Sequence, residues 1–379
     1  MIVKYVSYYD VPENKAENRS YQMSAVNKIN YVCKVLNRLG HNVQIISASV
    51  TENRKGCKRK TIPVFENTSL TLLPCLGMGS LPKRVVRRVL GRILLLSELL
   101  FRTRKGEPVL VYHALAYAGT IALARKIKKF RLILEVEEIY ADVSGNERDR
   151  FWEFRLFDVA DAFLFPTELL NEKVNRKGKP YVISHGTYQV EPDRGVRRFQ
   201  DEKVHCVYAG TFDPRKGGAL AAAAAAQHLP ENYHMHILGF GSDEEVTVMQ
   251  KKIEELSKVC ECGISYDGLL TGEDYIRFLQ SCDIGLSTQN PEAAFNATSF
   301  PSKILSYMAS GLQVVSIRIP AVEGSAVGNR VSYYDRQTPA EIARAILSAS
   351  KTDLEDPRST IEGLNRSFIK QMEELLGNA

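Results

Sequence analysis

No apolar run in this 379-residue sequence is long enough to span a bilayer, which excludes an integral helical membrane protein and leaves a soluble, globular chain as the expectation. Paired cysteines are missing as well. The seven cysteines (positions 33, 57, 75, 206, 260, 262 and 282) are scattered, odd in number and contain no CxxC pair. A disulfide framework is therefore not expected, and a reduced, cytosolic protein is. The CxC at Cys260 and Cys262 fits ordinary scaffold better than a metal site. No nucleic-acid-binding motif, internal repeat or low-complexity tract stands out beyond six alanines at 221–226. The opening MIVKYVSYYD has the pattern of a first β-strand and not of a signal peptide.

What is present divides by charge. Residues 1–200 hold 34 Lys+Arg against 20 Asp+Glu, leaving 16 against 24 for residues 201–379. Halves of opposite sign imply two domains with different partners. A basic half suits an anionic membrane surface or a phosphorylated substrate; nucleic acid is ranked last. The length fits two α/β domains better than one core. We place them at 1–190 and 191–360, with a C-terminal helix at 361–379 returning to the first, and take the charged, Gly- and Pro-bearing segment 176–203 as the linker.

Strand-like runs alternate with helical periods throughout. In the first half they are 2–9, 41–49, 108–114, 131–137, 162–167 and 180–185, with a helix over 23–39 stopped at Gly40. In the second half they are 205–210, 234–241, 265–268, 283–288, 313–319 and 331–335. Such alternation predicts parallel, doubly wound sheets.

Two glycine-bearing strand ends and one loop carry the chemistry. YAGTFDPRKGG places Gly210, Thr211, Arg215, Lys216 and Gly217 just after a strand, where glycines admit a phosphate and two cations hold it. HILGFGS adds Gly239 and Gly241. NATSFPSKILSYMASGLQVVS (296–316) offers Ser299, Ser302 and Lys303 at a helix start opened by Pro301, a ready anion site, and Gly311 as its stop. His113, in VLVYHALAYAG, sits at a strand end and is open to either a structural or a functional role.

These strings resemble those of the large retaining (family 4-like) group of GT-B glycosyltransferases. Lys216 and Gly217 fall on the Lys and Gly of "GRLxxxKG", while the family's Arg falls on Thr211, with Arg215 a possible substitute. HILGFG is similar to "xIVGxG", and residues 296–316 to "PxKxxEYxAxGxPVV". VISHGTY (182–188) looks like "VIPNGVD", with His185 in place of Asn. The family's two glutamates fall on Thr298 and Ser306, neither acidic. The resemblance implies an α/β chain of two Rossmann-like domains facing a cleft, with a nucleotide diphosphate sugar (UDP by family frequency) on the C-terminal one and the acceptor on the N-terminal one. It implies Lys216, Arg215 and His113 as catalytic groups. Gly210, Thr211, Gly217, Gly239, Gly241, Ser299, Ser302, Lys303 and Ser306 would bind the donor. No cofactor is expected, nor any metal, since the chain has no DxD motif. Loss of both glutamates keeps open an inactive partner subunit of a glycosyltransferase complex.

One stretch stands on its own pattern. In residues 81–106, a helical wheel puts Arg84, Arg87, Arg88 and Arg92 on one side, with Val85, Val89, Ile93, Leu96 and Leu100 on the other. Such a helix suits an anionic lipid surface, or equally a basic face of its own domain. We expect a cytoplasmic protein, peripheral at the inner face of the plasma membrane, with a saccharide or lipid-linked acceptor.

Overall fold

The computed structural model describes residues 1–195, 199–215, 217–293, 296, 298–351 and 355–377. The chain divides into two compact units, Met1–Ser184 with Ser367–Ala379, and His185–Arg366.

The first unit is built on eight strands: β1 (Ile2–Ser7), β2 (Asn42–Ser47), β3 (Lys60–Phe65), β4 (Thr68–Leu72), β5 (Pro108–Tyr112), β6 (Arg131–Glu135), β7 (Ala162–Phe165) and β8 (Tyr181–Ile183). Their order is β3-β4-β2-β1-β5-β6-β7-β8. Val, Ile, Leu and Tyr dominate the central strands because both sheet faces are covered, as parallel sheets require. Val6, Val109, Leu134 and Phe163 are at most 1% exposed. All neighbours pair in parallel except β3 with β4.

That hairpin is absent from the sequence reading. β3 is half-exposed, carries Pro63 and borders a single neighbour. Proline is tolerated there because an edge strand has one side with no ladder to serve. The turn is closed by Asn67, a non-glycine residue at φ 58°. β8 falls within the predicted strand run 180–185, which overlaps the segment 176–203 taken as linker. The closing helix Pro357–Gly377 stacks Phe368 on Tyr31, ring centroids 5.4 Å apart.

The second unit has six strands, all parallel: β9 (Val204–Thr211), β10 (Tyr233–Phe240), β11 (Gly263–Gly268), β12 (Ile284–Ser287), β13 (Gln313–Ile317) and β14 (Val331–Tyr334). The order is β11-β10-β9-β12-β13-β14. The chain runs outward from β9 to β11, returns to the middle at β12, and runs outward the other way. Between β9 and β12 the connections diverge, leaving a crevice at the carboxyl ends of the two strands.

The amphipathic helix predicted over 81–106 spans Leu81–Arg102. It buries Leu95 and Leu99, while Val85, Val89 and Ile93 are 50–58% exposed. Arg84, Arg87 and Arg92 donate to the backbone oxygens of Gly79, Thr51 and Ala116 at 3.2, 2.8 and 3.0 Å. Among the described residues, no helix is long and apolar enough to cross a membrane.

Candidate functional site

The β9/β12 crevice is held open by a side chain. The two strands pair only at Ile284–Cys206 and Gly285–Val207, then part. The buried Tyr307 hydroxyl stands in the fork, accepting from the Ala209 amide (2.9 Å) and donating to the Leu286 carbonyl (3.4 Å). Its ring fits only because residue 285 is glycine, where a Cβ would lie 2.2 Å from it. Thr288, just past β12, donates to the Gly218 carbonyl at 2.7 Å and ties the next loop to the same end of the sheet.

On β9 and β10, Gly210 and Gly239 are direct partners in register. Gly239 has φ +150°, and a Cβ there would stand 1.8 Å from the Gly210 carbonyl oxygen. A Cβ on Gly210 would stand 2.9 Å from Lys303 Nζ and 3.0 Å from the Tyr208 hydroxyl. The Lys303 ammonium lies over the Tyr208 ring, 3.9 Å from its centroid. The structure thus brings Gly210, Gly239 and Lys303 together: a cation above bare backbone, at the mouth of a parallel sheet. This arrangement suits a phosphate group.

The other predicted residues are less convergent. Gly241 serves the next helix: a Cβ would meet Glu245 Oε2 at 2.6 Å, the carboxylate that caps Ser242. Gly217, at φ +63°, caps the helix Gly218–Ala225. Arg215 is 89% exposed in its side chain and pairs with Asp213 at 2.7 Å, which pushes its pKa up. Lys216 lies outside the described residues. The anion-binding helix start is shorter than expected, Lys303–Ala309, and the Ile304 and Leu305 amides already bond Pro301 and Ser302 carbonyls. Ser302 and Ser306 are exposed; Thr298, Thr211 and Ser299 are half-buried.

Sequence reasoning missed Tyr208, Tyr307 and Thr288, which shape this crevice, and gave no role to His185, noted only in place of the family's Asn. Gly285 amid an apolar strand was a readable sign that something packs against it closely. His185 packs against Phe300 with the rings tilted (4.9 Å between centroids) and its Nε2 accepts from the Ala326 amide (3.2 Å), bracing the loop before Lys303.

The first unit has its own cavity, of about 400 Å³, at the carboxyl ends of β1 and β5. Tyr8, Tyr21, Gln22, Tyr112, His113 and Tyr140 stand on its wall. His113 is 1% exposed, and neither ring nitrogen has a hydrogen-bond partner among the described residues. Glu153 Oε1 is 3.4 Å from His113 Nε2, but that carboxylate is taken by the Tyr140 and Ala141 amides at 2.8 and 2.9 Å. Burial drives the His113 pKa down to about 3, so the ring is neutral, and burial drives that of Glu153 up. Burial also raises the Tyr8 phenol, against the opposing charge of Arg92.

With both sites in view, similarity to known proteins decides the fold. The whole chain superposes on the alpha,alpha-trehalose 6-phosphate synthase of Burkholderia multivorans with TM-score 0.64 at 11% identity, covering 97% of this chain and 94% of that one. It superposes on Anabaena HepE, solved with UDP and glucose, with TM-score 0.62 at 12% identity, covering 100% and 99%. A Rickettsia africae glycosyltransferase gives TM-score 0.64 at 14% identity, covering 100% and 99%. The chain has the GT-B fold. Residues 203–351, which carry the crevice, match the family described as glycosyl transferases group 1. None of the curated proteins matches the chain.

Proposed function

We propose that this GT-B protein transfers a sugar from a UDP-sugar to a hydroxyl of a saccharide or lipid-linked acceptor, in the synthesis of a surface polysaccharide or glycoconjugate. The observation that carries the reading is the Lys303 ammonium above the Gly210–Gly239 backbone at the switch point, within the segment that matches glycosyl transferases group 1. As the bond from the anomeric carbon to the diphosphate oxygen breaks, negative charge grows on the leaving group. A cation fixed there before reaction stabilises that charge without reorganising.

Lys303 takes this role with Lys216 and Arg215, the latter after leaving Asp213. The loop glycines Gly210 and Gly217, with Thr211, Gly239 and Gly241, give the diphosphate access to backbone. Ser299, Ser302 and Ser306 line the approach. His113, neutral on the wall of the first unit's cavity, is the group this reading assigns to the acceptor sugar. Retention of configuration and reaction without a metal belong to the same reading. Similar structures support it in part: one trehalose-6-phosphate synthase was solved with UDP-2-fluoro glucose, and another was studied for glycosyltransfer with retention. The exposed Val85, Val89 and Ile93 with the arginines of helix Leu81–Arg102 support peripheral attachment to the anionic inner membrane face.

The test is thermal stabilisation by UDP, GDP, ADP and CMP. UDP at a hundred times its Kd should add about 2.7 kcal/mol, and Lys303→Ala and Lys216→Ala should each weaken that shift at fixed ligand. If no nucleotide raises the melting temperature, the donor reading fails and the binding-subunit alternative takes its place.

A further inference from the structure

The first unit holds a second cavity, of about 870 Å³, beside the one that contains His113. The two share a wall: Leu115 lines both, and Arg92, which lines the second, donates through Nε to the carbonyl of Ala116, which lines the first. Their chemistry differs. Among the described residues, no charged side chain lines the His113 cavity, which presents tyrosine rings and a neutral imidazole. The second cavity mixes apolar surface from Ile93, Leu96, Leu123, Trp152 and Val159 with the cations Arg92, Lys126 and Arg155. Arg125 also lines it but is bidentate on Asp161 at 2.8 and 3.0 Å, and Asp149 contributes one acid. Leu123 is 46% and Trp152 51% exposed, so hydrocarbon surface stands uncovered among positive charge.

From this juxtaposition we infer that the second cavity seats the phosphate and the start of the hydrocarbon chain of a lipid-phosphate-linked acceptor, with Arg92 as the phosphate residue. The inference rests on the glycosyl-transfer reading, and deepens it by naming the acceptor class. An uncharged, aromatic cavity takes the hydroxyl-bearing head. It offers a phosphate no cation, and Arg92 on the dividing wall supplies that missing charge. The apolar floor beyond takes the chain, whose burial is favourable in proportion to the apolar area covered. Charge complementarity sets the order of the parts: neutral head, anion, hydrocarbon.

The chain carries its own reporter, because Trp152 is its one tryptophan. Farnesyl phosphate, titrated into the full chain below its micelle concentration, should give a saturable blue shift of Trp152 emission. Farnesol should bind at least tenfold more weakly, and inorganic phosphate alone should leave the emission unchanged. Arg92→Ala should weaken farnesyl phosphate at least tenfold with an unchanged melting temperature. Leu123→Asp, at an exposed position on the same floor, should abolish the shift. An unresponsive Trp152, equal affinity for farnesol and farnesyl phosphate, or indifference to Arg92→Ala overturns the inference. So does a response to phosphatidylglycerol vesicles without one to farnesyl phosphate, which would mark a general membrane face. UDP stabilisation on the same sample separates the two claims. UDP binding with a silent Trp152 removes the lipid-phosphate seat alone, whereas a Trp152 response without UDP binding supports the seat and removes the transfer reading.

Discussion

The two units have parallel sheets in common, yet they build their sites from different material. The second builds its crevice from backbone: two glycines in register, a strand fork wedged by one hydroxyl, and a lysine laid over a tyrosine ring. The first builds its cavity from side chains, Tyr8, Tyr21, Gln22, Tyr112, His113 and Tyr140 among them, with Glu135 and Glu153 buried in the same unit. Glu135 receives the Tyr5 hydroxyl, and burial raises its pKa well above the usual carboxylate range. A backbone site binds what all its substrates have in common, such as a phosphate. A side-chain site can be rewritten one residue at a time, as suits the acceptor recognition proposed for this unit. The residues matched by the family model, 203–351, fall entirely in the backbone-built unit.

The strongest way to test this contrast is Gly239→Ala. Its Cβ would collide with a carbonyl that cannot rotate away, so we expect a loss on the order of 4 kcal/mol or more and no UDP stabilisation, read by denaturant unfolding with and without UDP. A mild effect would mean that backbone packing does not define the crevice.

The next effect belongs to the other unit and is a matter of pH. The folded His113 pKa of about 3 lies far below the 6.5 of an open chain, so unfolding takes up a proton between those values. Stability present above pH 6.5 should therefore be lost as pH falls toward 3, by about 1.4 kcal/mol per pH unit. His113→Asn should flatten the unfolding curves over that window. His234 of the second unit, pushed down to about 4 by burial, contributes a smaller dependence of the same sign, which the variant leaves in place.

The smallest effect is at the fork. Tyr307→Phe leaves the Ala209 amide without its acceptor and should cost about 1–3 kcal/mol, measured by thermal unfolding. An unchanged melting temperature would show that the ring alone holds the strands apart.

Much of the framework was legible because apolar strands between helical periods write a period into the sequence: β1, β2, β5, β6, β7, β8, β12, β13 and β14 fall within predicted runs, and β9 and β10 overlap theirs. The hairpin β3–β4 escaped because an edge strand need be apolar on neither face, and its half-exposed pattern looks like a loop. In the candidate site, Gly210 and Gly239 stood out at predicted strand ends and Lys303 at a predicted helix start. Tyr208 and Tyr307 were not. Their roles depend on which strands become neighbours, β9 beside β12 across 72 intervening residues, and no local spacing records that. The fate of the arginines in helix Leu81–Arg102 was equally hidden, since a helical wheel shows a face but not the carbonyls it meets.

The paired glycines of β9 and β10 also differ in how each could be repaired. A side chain at Gly210 would strike the far ends of Lys303 and Tyr208, groups that a second substitution can shorten or remove. A side chain at Gly239 would strike the main-chain oxygen of Gly210, which every amino acid carries. Trimming neighbours can therefore restore room at the first position and never at the second. Revertants of a Gly210 lesion have suppressors open to them at other positions in the protein, whereas a Gly239 lesion can be undone only at its own codon.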